Sequence, residues 1–365
     1  MLKVLLFLFF HVPVFCLAKN YYGTYSHAPQ GSTRALGLGG AYTGLSDDAS
    51  GVIYNPAGLG FGNFIFDLGQ TDNYTFNKEA DIDNNGELDG VPFQYQFSSV
   101  ALKWNFLSVG YAQSTPFLAQ MSSAYGAQQN ATIKVSSQDL ILAIRIGDKV
   151  SLGVLSRSQT LKEEYNNFSS QNLVTTAKAN NFIYGFSFRP EKKLGFGITY
   201  TPNFKIEADT SLNQNFNITG SLDEYGWFNG VVFPEKITLG GFYAGSENIV
   251  YIADLDFIKA PADTIYLKNP FTTPMYTNTD IKPYQFQIPH GGVEFTVFKD
   301  SKKEFIWRVG GYREPARVVG ASDRLHFTMG VEVKMGPLIA SASMDETNGF
   351  SNSSQSISFT LGEKK

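Results

Sequence analysis

The amino-acid sequence predicts an all-β protein: a 14-stranded antiparallel transmembrane β-barrel with an N-terminal plug segment in its lumen. Three observations predict this fold: an export-type N-terminus, fourteen segments of alternating apolar and polar residues, and connections that alternate between short and long. Aromatic residues form 15% of the chain and charged residues only 17%, which favours strands over a helical or disordered chain. The formal net charge of −4 gives no support to a nucleic-acid partner.

Residues 1–18 have the pattern of a secretory signal peptide. Lys3 precedes an apolar run that ends at Leu17, and the small residue Ala18 follows. The run of about 14 apolar residues is shorter than the roughly 20 that a spanning helix needs, which disfavours a membrane anchor. A lipoprotein at Cys16 is disfavoured because Phe15 stands where a small residue is expected. We expect cleavage, loss of the chain's one cysteine, and export to a Gram-negative-type outer membrane.

The alternating segments predict the strands of the barrel. In 181–189, aromatic residues at the even positions 182, 184, 186 and 188 alternate with small or polar residues, as on the two faces of a strand. The fourteen segments are 64–71, 98–104, 107–113, 137–146, 150–158, 180–189, 194–202, 236–243, 249–257, 290–298, 305–312, 324–334, 338–346 and 355–362. An even number of strands suits a closed single-chain barrel, which we place at 64–365.

The connections between the segments support a membrane barrel independently. Those after every second segment are short, such as 105–106 and 335–337, whereas most of the others are long, such as 114–136 and 203–235. Bacterial outer-membrane barrels have short periplasmic turns and long outer loops in this order.

One face of the predicted strands is nearly uncharged and the other carries charges of both signs. The uncharged, aromatic-rich face suits outer-membrane lipids as its partner. The charged face is expected to line the lumen, where its members pair or meet water: Asp67, Lys103, Asp139, Arg145, Arg189, Asp254, Asp256, Glu294, Arg308, Arg324, His326, Glu332, Lys334 and Asp345.

Residues 19–63 do not alternate, and we predict that they form the plug. A barrel of fourteen strands is wide enough to leak unless something fills it. The run from Arg34 to Leu59, with the motifs D-D-A-S at 47–50 and N-P-A-G-L at 55–59, resembles the N-terminal hatch of the FadL/TodX family of outer-membrane hydrophobic-compound transporters. It resembles the PorV-like branch more closely still.

The resemblance implies a fourteen-stranded barrel for passive transport of hydrophobic small molecules such as long-chain fatty acids. Such a ligand would be released sideways into the membrane through a gap in the wall, gated by the plug. The alternative, from the PorV-like branch, is a scaffold for protein secretion or surface attachment, with a secretion-system or surface protein as partner. The plug residues that the resemblance marks are Arg34, Asp47, Asp48, Asn55, Pro56 and Ala57.

The plug motifs suggest how the segment is held. We expect Asp47 and Asp48 to reach inward arginines such as Arg308 or Arg189, and Pro56 to fix a turn. Whether the plug is static or moves stays open.

An apolar cluster in the loop after the seventh segment is a candidate entry surface for a ligand, because exposed apolar clusters mark binding or lipid contact. Its members are Tyr225, Trp227, Phe228, Val231 and Phe233. The alternative is self-packing of the loops over the barrel mouth. Gly110 and Pro116 in the third segment and the connection after it are candidates for a defect in the wall.

Residues 81–89 have the alternating oxygen ligands and the glycine of a calcium loop, although no closing glutamate follows. The candidate ligands are Asp81, Asp83, Asn85, Glu87 and Asp89, and the alternative is a solvated acidic turn. We find no nucleophile–base pair, nucleotide loop or histidine cluster. The sequence therefore predicts a non-enzyme that requires no cofactor, with calcium in the loop as the one candidate.

Overall fold

The structure of the protein is a computed structural model, which describes residues 21–23, 31–80, 89–122, 130–166, 172–207, 230–259, 264–265, 285–315, 323–347 and 350–362. Among these residues, no helix has the length and apolar character that crossing a membrane requires.

Fourteen antiparallel strands close into a barrel, which confirms the predicted fold class. In chain order they are β2 (Phe66–Ala80), β3 (Asp89–Trp104), β4 (Leu107–Ser122), β5 (Asn130–Ile146), β6 (Val150–Asn166), β7 (Asn172–Glu191), β8 (Leu194–Thr201), β11 (Glu235–Ser246), β12 (Ile249–Lys259), β14 (Gln285–Lys299), β15 (Lys303–Glu314), β16 (Arg324–Met335), β17 (Leu338–Thr347) and β18 (Phe350–Leu361). The barrel closes where β18 pairs with β2, from Phe350↔Asn77 to Leu361↔Phe66.

The two faces of these strands differ in the way that the alternation predicts. On β5, Leu140 is 63% exposed on the outer wall, whereas its neighbour Asp139 is fully buried inside. Most of the predicted lumenal charges are buried, and Arg145, Arg189, Arg324 and Lys334 are half-buried. Apolar side chains therefore cover the outer wall, and polar and charged ones line much of the interior.

Four short strands form a second sheet beside the barrel strands: β1 (Tyr21–Gly23), β9 (Phe204–Glu207), β10 (Gly230–Phe233) and β13 (Thr264–Ile265), in the order β13-β1-β10-β9. Because β9 follows β8 closely and β10 precedes β11, this sheet continues their hairpin at the long-loop end of the barrel. β9 lies against β6 and β7.

Residues 31–64, called the inner segment below, fold into short helical turns. They comprise the α-helix α1 (Thr33–Gly37) and two 3₁₀ helices, Ala49–Ile53 and Pro56–Phe61. Each helix begins at a side chain that accepts a backbone N–H: Ser32, Asp48 and Asn55, respectively. Pro56 is the first residue of the second 3₁₀ helix, a position where a backbone N–H has no partner within the helix, so the missing N–H of proline costs nothing there.

Candidate functional site

The inner segment is held against inward-facing residues of the barrel wall, and Asn55 makes its most concentrated contact. The Asn55 side chain is buried, and its Nδ2 donates to the carbonyl oxygens of Thr43 and Phe186 and to Ser187 Oγ, each at 3.0 Å. Its Oδ1 accepts from the N–H of Ala57 at 3.0 Å. One amide therefore begins a helix and ties the inner segment to β7.

Glycines in the wall allow the backbone of the inner segment to approach closely. A Cβ at Gly153 on β6 would lie 2.3 Å from the Ala57 nitrogen, and one at Gly185 on β7 would lie 2.3 Å from Asn55 Oδ1. Larger residues at either position would push the N-P-A motif away from the wall. The motif and these glycines thus form one contact.

A chain of charged side chains links the inner segment to the opposite side of the barrel. Arg34 donates to both oxygens of Glu294 on β14, at 2.9 and 3.0 Å, and to Asp47 at 3.0 Å. Arg308 on β15, 1% exposed, donates to Glu294 at 2.7 Å and to Glu332 on β16 at 2.8 Å. Every charge in this chain has a partner of opposite sign, which is what makes its burial tolerable.

Two titratable groups of the inner segment have pKa values that this environment shifts. Burial alone would lower the pKa of the Arg34 guanidinium, but Glu294 and the neighbouring acidic groups hold it well above its usual value. Burial raises the pKa of the Tyr42 hydroxyl, against the influence of Arg34, and Asp48 raises it further. The hydroxyl therefore stays protonated and donates to Asp48 Oδ2 at 2.5 Å.

Further contacts fix the inner segment around the barrel. Asp254 on β12 accepts the N–H groups of Tyr42 and Thr43 at 2.8 and 2.7 Å. Asp67 on β2 accepts that of Ala49 at 2.7 Å, and Lys103 on β3 donates to the Gly62 carbonyl at 2.6 Å. The side chains that hold the segment therefore come from both sides of the ring.

The interior on the side of β3–β7 contains a large apolar cluster, beside inward polar groups such as the Asp139–Arg157 ion pair. The two 3₁₀ helices pack there against inward side chains of five neighbouring strands. This cluster, called the apolar half below, consists of Ala49, Val52, Ile53, Leu59, Phe64, Phe97, Ala101, Ala112, Ile141, Ala143, Leu155 and Ile183.

The interior along β2 and β16–β18 is more polar and contains a cavity of about 360 Å³, which the cluster members Ala49 and Phe64 also border. The cavity lies between the inner segment and β2, β16, β17 and β18, and hydroxyl side chains such as Ser341 and Ser356 line it together with Asp47, Asp48 and Lys334. This side, with the Arg34–Glu294–Arg308 chain, is called the polar half below. The inner segment thus packs on an apolar cluster along β3–β7 and borders a polar cavity along β2 and β16–β18.

The barrel wall is open between β3 and β4 next to the apolar half. Their ladder runs from Trp104↔Leu107 only as far as Ser98↔Gln113. Beyond that rung β3 continues to pair with β2 up to Ala80↔Asp89, and β4 with β5 up to Ser122↔Asn130. Towards the long-loop end, residues 89–97 of β3 and 114–122 of β4 are therefore not paired with each other. We call these residues the upper parts of the two strands and the opening between them the wall gap.

Pro116 lies at the edge of the wall gap. The pairing of β4 with β5 shifts register between Ser114 and Phe117, a β-bulge. Proline has no N–H to offer a ladder, and a bulge bends its strand, so both features turn the upper part of β4 away from β3. Gly110, by contrast, pairs normally with Ala101 and Ile141 and marks no defect.

The structure brings some of the predicted plug residues together and corrects one contact. Arg34, Asp47 and Asp48 cluster, and Asn55, Pro56 and Ala57 meet β6 and β7. Arg189 lies 3.8 Å from Asp47, as expected. The expected contact with Arg308 is wrong, because Arg34 occupies the position next to the aspartates and Arg308 pairs with Glu294 and Glu332 instead. No motif in the sequence marks Arg34 as the partner of these aspartates.

The other predicted site residues fall partly outside the described residues. Of the entry cluster, Val231 is fully buried and Phe233 half-buried in the short sheet, which for Val231 agrees with the self-packing alternative. Tyr225, Trp227 and Phe228 are outside the described residues, as are residues 1–18 and the calcium candidates Asp81, Asp83, Asn85 and Glu87. Asp89 begins β3. Within the described ranges, no group of His, Cys, Asp and Glu is arranged to hold a metal ion.

Comparisons with known proteins agree at the level of the fold. No family model and no curated protein matches the chain. Among solved structures, it is similar to a Pseudomonas aeruginosa FadL homologue (13% identity, 92% of this chain and 99% of that one, TM-score 0.64). It is also similar to the monoaromatic hydrocarbon channel CymD (11%, 93% and 100%, 0.60) and to the Ralstonia pickettii toluene transporter TbuX (11%, 92% and 99%, 0.59). The resemblance to the PorV-like branch stays a prediction. The chain therefore has the fold of the FadL/TodX hydrophobic-compound transporters, as its sequence predicted.

Proposed function

We propose that the protein is an outer-membrane channel for passive transport of hydrophobic small molecules, and that the inner segment is its plug. The observation that carries the proposal is the apolar half lying directly behind the wall gap. A ligand enters at the long-loop end, crosses the apolar half and leaves sideways through the gap into the membrane. No chemical step is involved.

A hydrophobic ligand moves most easily along a route that excludes water. A hydrophobic molecule gains roughly 25 cal/mol for each Å² of surface that leaves water, so it prefers a dry route to a water-filled pore. The apolar half supplies buried side chains of this kind, such as Phe97 and Ala112, beside the gap. The apolar outer wall, with Leu140 and Phe182 exposed, suits a membrane at the exit.

The comparisons support the same class of ligand without choosing its member. The neighbours are described as a FadL homologue, a monoaromatic hydrocarbon channel and a toluene transporter. Long-chain fatty acids and monoaromatic hydrocarbons are therefore both candidate ligands.

Bridging the wall gap tests the proposal. Cysteines replace Gln96 on β3 and Thr115 on β4, one on each side of the gap, and a reducible dithiol crosslinker joins them. We measure uptake of radiolabelled oleate and toluene by cells that lack their own hydrophobic-compound transporter. Uptake of the ligand that the protein carries should fall to background with the bridge and return on reduction, because the exit is then reopened.

The matched control places the same bridge at Ser98→Cys and Gln113→Cys, the last paired rung of the β3–β4 ladder. This bridge joins strands that are already paired, so uptake should be unchanged. Normal uptake with the gap bridged would contradict lateral exit. Lack of saturable uptake of either compound by the wild-type protein would contradict transport.

A secretion or attachment scaffold is the second candidate function. The observation that favours it is the charge chain Arg34–Glu294–Arg308–Glu332, which fills part of the lumen with ion pairs. Affinity purification from the outer membrane of the native cell distinguishes the two functions: a stoichiometric protein partner together with absent uptake supports the scaffold.

A further inference from the structure

Three lysines lie close together on the outer wall of the barrel. Lys134 on β5, Lys162 on β6 and Lys178 on β7 are all exposed on the outward face. Lys134 and Lys162 are direct cross-strand partners, and Lys178 pairs with Thr160, two residues from Lys162 on the same face. Side chains in such direct and diagonal positions begin about 5 and 7–8 Å apart. We call these three residues the lysine patch.

The lysine patch carries an excess of positive charge. Glu164, on the same face of β6, forms an ion pair with Lys162. This leaves three ammonium groups near one carboxylate among the described side chains of the patch. Because like charges directly opposite each other destabilise a strand pair, an anion bound between Lys134 and Lys162 would stabilise the wall.

The height of the patch on the wall indicates which anion meets it. The last exposed apolar side chains below it are Leu140 on β5 and Phe182 on β7. Counted in steps of two residues along a strand, Lys178 lies two steps above this level, and Lys134 and Lys162 lie three steps above it. Each step of two residues covers about 6.8 Å along a strand that is tilted by about 40°. The lysines therefore lie roughly 10–16 Å above the apolar band. This is the level of lipid headgroups rather than of acyl chains.

We propose that the lysine patch binds the phosphate groups of a phosphorylated glycolipid of the outer leaflet. The ammonium groups of Lys134, Lys162 and Lys178 contact the phosphates, and the acyl chains lie against Leu140 and Phe182 below. The patch is at the long-loop end of the barrel, which in bacterial barrels faces outward. The proposal rests on the membrane placement in the proposed function but not on transport.

Charge and position together favour a lipid over a soluble partner. The patch stands on the wall immediately above side chains that we place in the bilayer, so a lipid brings its phosphate to the lysines without leaving the membrane. Lysine side chains are long enough to cover the remaining height while keeping their charges at the headgroups. Several lysines at one place add their attraction for anionic headgroups.

Lipid binding by the full mature chain in uncharged detergent tests the proposal. The protein is titrated with bis-phosphorylated lipid A, and bound lipid is counted by native mass spectrometry. With Lys134→Gln, Lys162→Gln and Lys178→Gln combined, the apparent affinity should fall about tenfold or more, because three attractive charges are lost. Lipid A stripped of its phosphates should bind wild-type protein about as weakly as intact lipid A binds the triple variant. Lys178→Gln alone provides a milder variant with a smaller loss.

The matched control removes three exposed lysines from the short turns of the same strands, Lys149→Gln, Lys192→Gln and Lys193→Gln. Its affinity for lipid A should remain that of the wild type. Equal losses in the two triple variants, an unchanged affinity in the patch variant, or competition by inorganic phosphate at the lipid's own concentration would overturn the proposal. If uptake of oleate and toluene fails while lipid A binding depends on the patch, transport is contradicted and the lipid site stands.

Discussion

At the residue scale, Asn55 shows how one side chain joins local structure to the whole barrel. Its amide group begins the second 3₁₀ helix and donates to Thr43, Phe186 and Ser187. Serine, aspartate and threonine can also begin a helix, but their side chains lack an NH₂ group that donates while the side-chain oxygen accepts. The requirement for asparagine therefore comes from the wall contact as much as from the helix.

We predict that Asn55→Ala loosens the inner segment without unfolding the barrel. The substitution leaves buried carbonyl groups unpaired and removes a helix cap, at a combined cost of about 2–3 kcal/mol. Amides of residues 49–61 should exchange with solvent about 30- to 150-fold faster in hydrogen-exchange mass spectrometry. Asn63→Ala changes an exposed asparagine of the same segment and serves as the control. Equal exchange in the two variants would show that Asn55 does not hold the segment.

The sequence could identify the residues of the inner segment but only some of their partners. Short polar motifs such as D-D-A-S and N-P-A-G-L mark helix starts, because capping depends on neighbours in the chain. The partner of Asp47 depends on which arginine is closest after folding, and Arg34 and Arg308 are equally charged in the sequence. Only the three-dimensional position of α1 decides between them.

At the element scale, the observed strands extend beyond the segments in which apolar and polar residues alternate. Predicted and observed strands agree closely at the short-turn end, where one face meets lipid and the other the lumen. At the other end β7 starts at Asn172 rather than at 180, and β5 at Asn130 rather than at 137. Above the lipid both faces of a strand carry polar residues, such as the exposed Ser136 and the buried Ser137 on β5, and the period of two is lost.

The wall gap depends on the path of one strand, β4. Pro116, next to the bulge of that strand, is the residue at which the gap can be changed. We predict that Pro116→Val lengthens the β3–β4 ladder, because valine supplies an N–H and suits a regular strand. Exchange of the amides of Ser114 and Thr115, which both proteins have, should slow, and uptake of the transported ligand should fall. Pro289→Val is the control, because Pro289 on β14 lies in a ladder that is already continuous. Slower exchange at Ser114 and Thr115 with undiminished uptake would show that the ligand does not leave through the wall gap.

At the scale of the whole molecule, the lumen contains an apolar cluster and a polar cavity at different places around the inner segment. The apolar half adjoins the wall gap, whereas the polar half contains the cavity and the charge chain. The sequence predicted charges inside the barrel but not their partners, because the strand on which a charge lies says nothing about which part of the inner segment it meets. In the proposed mechanism only the apolar half carries ligand.

We predict that filling each half has a different effect on uptake. Ala112→Leu adds volume to the apolar half beside the gap, at a packing cost of about 1–3 kcal/mol, and should lower uptake several-fold. Ser341→Leu with Ser356→Leu replaces both partners of one hydrogen bond in the polar cavity, and uptake should stay near that of the wild type. Circular dichroism confirms that each variant folds. The reverse pattern would assign the ligand route to the polar half.

The pairing of β18 with β2 has a consequence for how the molecule is made. The first and last strands of the barrel meet only after nearly the whole chain has been synthesised, so closure is a step of very high contact order and is intrinsically slow. The inner segment precedes β2 and is bonded to strands from both sides of the ring, from Asp67 to Ser343. Before closure it can already gather those strands, in the manner of a core around which the hairpins assemble. Truncating the chain's N-terminal part should then slow barrel assembly as well as open the finished pore.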